Sequence, residues 1–178
     1  MGVTGAEAVS GAIQREQVLA EFVAEHYQRL FRLAMLVCRD AADASDAVQL
    51  VLERAWRRRT ALRDEASIRS WLDRIVVNEA IRHTRRRRSW LARLVPGPSS
   101  PRWIEPVDHR TSETNAWTSL RVAFDALSAE QRAVIALHLH AGYSIAESAS
   151  LVGAPPETVR SRLRLAKERL RRELGEAP

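Results

Sequence analysis

Through most of the chain, apolar residues recur at three- and four-residue intervals, the period of a helix buried along one stripe. The first run covers Glu16 to Val37, with Leu19, Phe22, Val23, His26, Leu30, Leu33 and Val37 in register. Asp40 precedes a second run, Ala44, Ala47, Val48, Val51, Leu52, Ala55 and Trp56. An aspartate there predicts an N-cap, and Asp43 in the first turn suits the helix dipole. A third stripe follows Ser67, another predicted N-cap, through Ile68, Trp71, Leu72, Ile75 and Val76, and runs on past Asn78. No stretch alternates with the period of two that a half-buried strand needs.

Between Leu91 and Asn115 the period is lost. "LVPGPSSPRWIEPVDHRTSETN" is polar and carries four prolines, so residues 91–115 read as a linker. Periodicity returns over 117–127. Ser128 and Gln131 then form a capping-box pattern opening a helix that ends near Gly142. Ser144 and Glu147 repeat that pattern for a short helix to Val152. After "GAPPE" a long basic helix starts near Thr158. The fold class is therefore all-α: two small helical domains joined by an irregular linker, the second built around a helix-turn-helix. The boundaries are a 1–15 extension, a 16–90 domain, the 91–115 linker and a 116–178 domain.

Composition changes this picture little, but charge placement sharpens it. Of the 178 residues, 46% are hydrophobic and 28% charged, the balance of a folded chain, and formal net charge is +6. Residues 16–90 hold 15 basic against 11 acidic residues, and basicity gathers at the C-terminal ends of both domains. A polyanion such as nucleic acid is the expected partner. Cys38 is the lone cysteine, which excludes an internal disulfide and a cysteine-rich zinc site. It lies in the apolar run Ala34–Val37, so a buried structural thiol is expected. No apolar run approaches the roughly 18–20 residues of a membrane span, and no secretory signal is legible. No membrane insertion and a cytoplasmic location are expected.

The segment "SIAESASLVGAPPETVRSRLRLAKERL" carries the sharpest chemistry. Ala149, Gly153 and Val159 have the spacing of a helix-turn-helix. The small residue admits the second helix, the glycine takes the positive φ of the turn, and the β-branched residue packs back. Val159, Leu163, Ala166, Leu170 and Leu174 form the predicted buried stripe. Arg160, Arg164, Lys167 and Arg171 lie one residue over. An apolar stripe beside a basic one lets a helix pack on its domain and still enter a major groove. Without the preceding turn, a solvated basic helix would be the default. Docked by its N-terminal end, the helix offers Glu157, Thr158, Arg160, Ser161 and Arg164 to base edges, and Lys167, Arg169 and Arg171 to phosphate. Trp56 and Trp71 fall on apolar stripes and are expected in the core.

The region "DALSAEQRAVIALHLHAGYSIAESASLVGAPPETVRSRLRLAKERLRREL" resembles domain 4 of the extracytoplasmic-function (ECF) group of bacterial sigma-70 factors. "DAADASDAVQLVLERAW" with "SIRSWLDRIVVNEAIRHTRRRR" is similar to their domain 2. Together the two cover about 20–90 and 116–174. The resemblance implies a promoter-specificity subunit, not an enzyme and without a cofactor or bound metal. It implies that Asp43, Asp46, Gln49 and Glu53 dock on the β′ clamp helices of core RNA polymerase, although a first-turn carboxylate such as Asp43 also serves simply as a cap. It further implies that Asn78, Arg82, His83, Arg85 and Arg86 lie along −10 promoter DNA. The loop "TALRDEAS", 60–67, would capture a flipped −10 base, a role that stacking normally supports and that this loop meets without an aromatic. The second domain would bind the β flap and read −35 DNA through Glu157, Thr158, Arg160, Ser161, Arg164 and Lys167. Anti-sigma factors are the usual further partners.

Four positions depart from the family pattern. Leu50 stands where an acidic residue commonly follows the glutamine, and Arg82 where aspartate is frequent. Ser128 replaces a usual proline, and Ser148 an apolar packing residue. In "IRHTRRRRSW", Arg87 and Arg88 are expected only to mark a helix end, where positive charge suits the dipole. The alternative to a sigma factor is a stand-alone helix-turn-helix regulator that never engages polymerase. A nuclease is disfavoured, because the five histidines are scattered and no carboxylate cluster has metal-ligand spacing.

Overall fold

The structure, a computed structural model, describes residues 24–58, 65–94 and 113–174. All regular elements among them are helical. The first, α1, is described over 24–38. It is followed by α2 (Ala41–Arg58), α3 (Glu65–Leu94), α4 (Glu113–Asp125), α5 (Ala129–Ile135), a π-helical turn (Ala136–His140), α6 (Ile145–Val152) and α7 (Pro156–Glu173). Leu19, Phe22, Val23, most of the 60–67 loop, and Trp103 lie outside the described residues.

The predicted stripes become the core. Leu30, Leu33, Ala34 and Val37 of α1 pack with Ala44, Ala47, Val48, Val51, Leu52 and Ala55 of α2, and with Leu72, Val76, Val77 and Ala80 of α3. Asp40 caps α2 as expected, its Oδ1 accepting from the N–H groups of Ala42 and Asp43, both at 3.0 Å. Ser67 is not the cap of α3. That helix already starts at Glu65, so Ser67 lies within its first turn. At its other end α3 continues to Leu94, and α4 starts at Glu113, so both ends of the expected linker are helical. Lacking strong apolar period, those ends gave no signal, yet neither contains the proline that would stop a helix.

In the second half both capping boxes form. Ser128 accepts from the Gln131 N–H while Gln131 reaches back, and Ser144 and Glu147 do the same. After Ile135 the ladder widens, with Ala141 N–H donating to Ala136 O at 2.9 Å across five residues. This π-turn leaves Ala136 and Leu137 buried while Leu139 and His140 face solvent. Gly153 closes α6 at φ 65°, ψ 42°, and Pro155-Pro156 opens α7. Val159, Leu163 and Ala166 are buried, but Leu174 is 37% exposed and leaves the predicted stripe. It follows α7, beyond reach of the domain it was expected to cover.

Gly153 permits a direct check of the turn. A Cβ there would meet nothing within 4 Å, so any cost is conformational. Gly153→Ala is expected to lose about 1 kcal/mol from left-handed strain. In a domain of this size that is about 2–4 °C in Tm by thermal circular dichroism.

The two halves share one core. Ala133, Ala136, Leu137 and Leu151 of the second half belong to the cluster formed by α1, α2 and α3, while Leu127, Val134, Ala149, Val159 and Leu163 make a smaller cluster behind them. Polar links reinforce this seam. Arg132, almost fully buried, donates from Nε to Val37 O and from Nη1 to Leu127 O, both at 2.8 Å. Burial, with Arg88 and Arg39 nearby, pulls its pKa down to about 10, so it remains charged at neutral pH. Arg39 ends α1 at φ 62°, an uncommon state for a side chain with a Cβ. It is held there by Asp125 at 2.9 Å, by Arg121 O at 3.1 Å and by the face of Phe124.

Candidate polymerase and nucleic-acid interfaces

Three surfaces carry the residues singled out from the sequence. On α2, positions 43, 46, 49 and 53 are three or four apart and share a face. Asp46, Gln49 and Glu53 are exposed there, with Leu50 half-buried at the margin. Asp43 differs, because its carboxylate faces α3, 3.3 Å from Arg87 Nη1 and 3.8 Å from His83 Nδ1. Arg87 also pairs with Asp40. Burial raises the Asp40 pKa, but the Arg87 guanidinium and the capping N–H groups outweigh it and hold the carboxyl below its usual value. Arg87 was expected to mark a helix end. It lies well inside α3 and ties that helix to the start of α2, so its charge answers Asp40 and Asp43 rather than a terminal dipole.

The arginine-rich part of α3 is divided between two faces. Asn78, Arg82 and Arg85 are spaced four and three residues apart and align. His83 and Arg87 turn towards α2. Arg82 pairs at 3.1 Å with Glu79, an almost fully buried carboxylate that also holds Arg54 at 3.2 Å. Arg86 is exposed. Asn78 is half-buried, its amide donating to Arg74 O at 2.7 Å and to Leu151 O at 2.9 Å. Arg85 reaches Glu130 at 2.6 Å. Burial raises the Glu130 pKa, and its own backbone N–H together with Arg85 brings it below the usual value. The partners Glu79, Arg87 and Glu130 escaped the sequence reading, since nothing in local spacing links 85 to 130.

The N-terminal half of α7 is the most open surface. Glu157, Arg160, Ser161, Arg164 and Lys167 are exposed, and Thr158 is half-buried, its carbonyl accepting from Ser161 Oγ at 3.0 Å. Arg160 pairs with Glu157 and Arg164 with Glu168, within the helix and in water. Such exposed pairs contribute about 0–1 kcal/mol and exchange readily for phosphate. Val159, Leu163 and Ala166 seat the opposite face on α4, α5 and α6, so the basic stripe points outward.

Other expectations divide similarly. Cys38 is buried, donating weakly to Ala80 O, and burial followed by Asp43 pushes its thiol up to about 12. Trp71 packs partly buried against the first core, Trp56 is half-buried, and Trp90 is 60% exposed on α3. Among the described residues no three histidines, cysteines or carboxylates form a metal-holding group, and no helix is long and apolar enough to cross a membrane.

A helix-turn-helix with an outward basic stripe, behind a helical bundle with a polar α2 face, narrows the family. The family model for sigma-70 region 2 matches residues 22–90, and that for sigma-70 region 4 matches 118–170. The chain belongs to the sigma-70 family, and relatives at 38% and 36% identity place it in the ECF group. The ECF RNA polymerase sigma factor SigL of Mycobacterium tuberculosis is 38% identical over 173 residues, covering 94% of this chain and 96% of the relative. SigM, an ECF sigma factor of the same species, is 36% identical over 151 residues, covering 84% and 74%. The sigma factor RpoE of Bartonella quintana, solved with the anti-sigma factor NepR, superposes with a TM-score of 0.69 at 23% identity, covering 89% of this chain and 98% of that one. That likeness concerns the fold. In this ECF sigma factor, region 2 spans α1 to α3 and region 4 contains the helix-turn-helix of α6 and α7.

Proposed function

We propose that this ECF sigma factor binds core RNA polymerase, directs it to specific promoters and helps open the −10 region. The carrying observation is the coexistence of three chemically distinct surfaces on one sigma-70 chain: the α2 face, the α3 arginine face and the α7 basic stripe. Asp46, Gln49 and Glu53 meet the β′ clamp helices, and Asp43 sets the angle of α2 against α3. Asn78, Arg82, Arg85 and Arg86 run along −10 DNA, with His83 supporting them from the α2 side. Glu157, Thr158, Arg160, Ser161 and Arg164 read −35 base edges while Lys167 meets phosphate, and region 4 also binds the β flap. The working division is 16–90 for the −10 and polymerase domain, 91–115 for the connection and 116–178 for the −35 domain.

Opening needs no covalent chemistry, so the protein acts by binding and has no catalytic residue. Phosphate contacts and capture of flipped bases offset unpairing, which costs a few kcal/mol for each base. The setting is the cytoplasm, and an anti-sigma factor is the natural regulator, as NepR is for the Bartonella protein. A stand-alone regulator would have no use for the open α2 face. Reconstitution with core polymerase decides between the two: promoter-dependent transcripts support the sigma function, and absent core binding rejects it.

A further inference from the structure

On α7 one apolar side chain stands apart from the core and from the basic stripe. Leu165 is 46% exposed, on a helix whose apolar stripe of Val159, Leu163 and Ala166 is buried. With about 100° of turn per residue, it lies about 130° from the centre of that stripe. Thr158, Ser161 and Leu165 are three and four residues apart and form one outward column. Ser161 is exposed, and its Oγ donates to Thr158 O at 3.0 Å. On one side of the column run Glu157, Arg160, Arg164 and Glu168, paired within the helix. On the other stand half-buried Arg162 and exposed Arg169. Leu165 is an apolar spot framed by guanidinium groups.

A surface leucine by itself is ordinary. This one is set apart by its surroundings. The arginines around it draw a polyanion onto this face, so Leu165 is covered when DNA binds. From Thr158 to Leu165 the helix rises about 10 Å, within the roughly 12 Å width of a major groove. The apolar group on the floor of that groove is the C5-methyl of thymine. Leucine has no donor or acceptor with which to read any other base edge. An arginine here would select guanine instead. We propose that Leu165 reads the C5-methyl of a thymine in the −35 element, which makes an A·T pair a requirement at the position facing the third turn of α7. This rests on the reading of α7 as the −35 helix. The arginines supply affinity through charge, and Leu165 adds a preference that salt does not screen.

The full chain in complex with core polymerase is used to select duplexes from a pool randomised across the −35 region. The unaltered protein is expected to enrich an A·T pair at one position where Leu165→Ala enriches none, with the other positions kept. Uracil in place of that thymine removes only the methyl group. It should weaken binding by the unaltered protein about fourfold, the worth of one buried methyl group, and leave the Leu165→Ala protein unchanged. The slope of log affinity against log salt should be the same for both proteins, since no phosphate contact is lost. Identical enrichment by the two proteins, a loss confined to a G·C position, or uracil without effect on the unaltered protein at every enriched thymine would each overturn the methyl contact. Each would leave the −35 function of α7 standing. A pool from which the unaltered protein enriches no −35 sequence would overturn that function and the methyl contact together.

Discussion

Replacing Asp73 by alanine is expected to lower folding stability by about 3 kcal/mol, because it is fully buried beneath a partly buried arginine. Asp73 is 0% exposed and accepts from Arg29 of α1 and from Tyr143 of the segment before α6. Burial and then Asp73 push the Tyr143 hydroxyl well above its usual pKa, so it remains a donor throughout the neutral range. Arg29 already has a buried Nη2 without a hydrogen-bond partner. Alanine would leave that guanidinium without its counter-charge and the tyrosine hydroxyl without an acceptor. Removing one member of a buried pair costs far more than the pair itself contributes. Thermal unfolding should show a Tm lower by about 10 °C. The Asp73→Asn variant keeps an acceptor for one donor, and its stability should fall between those of the alanine variant and the unaltered protein. A loss below about 1 kcal/mol from the alanine variant would mean that the network is not formed.

The second large effect is on DNA rather than on folding. Arg160→Ala with Arg164→Ala is expected to weaken −35 DNA binding by about a hundredfold or more, since each base or phosphate contact carries about 1–3 kcal/mol. If both meet phosphate, the slope of log affinity against log salt should fall by about 2. Stability should barely change, because their partners Glu157 and Glu168 are exposed and within the same helix. Core affinity should stay within twofold. Titrating labelled −35 duplex at several salt concentrations measures both terms. Equal loss of core and DNA binding would place these arginines at the wrong surface.

These two sites differ in how far the sequence exposed them. Arg160 and Arg164 follow from local spacing, because an apolar stripe one residue away dictates which way they face. The same locality made both capping boxes, the Asp40 cap and the Gly153 turn readable. Asp73 was invisible as a hub, since its partners lie 44 and 70 residues away and a lone aspartate among apolar positions carries no pairing signal. The positive φ of Arg39 was hidden for the same reason: a tertiary partner, Asp125, holds an arginine where glycine is commoner. Arg82 stood out as a departure from its family, and the structure supplies a physical context in buried Glu79. Ser148 is buried with an unpartnered Oγ, in keeping with a site that usually takes an apolar side chain. The shared core escaped because two amphipathic halves look complete by themselves. Nothing in a periodic pattern tells which leftover apolar residues, such as Leu137 and Leu151, will meet across a seam.

Whether this chain gives core polymerase promoter specificity is open to one direct measurement. Core enzyme is combined with the full chain on total genomic DNA, and the 5′ ends of the transcripts are mapped. A sigma factor yields a discrete set of start sites preceded by common −35 and −10 sequences, absent without the protein and lost with the Arg160→Ala, Arg164→Ala variant. Core enzyme that neither retains the protein nor gains new start sites would contradict that function.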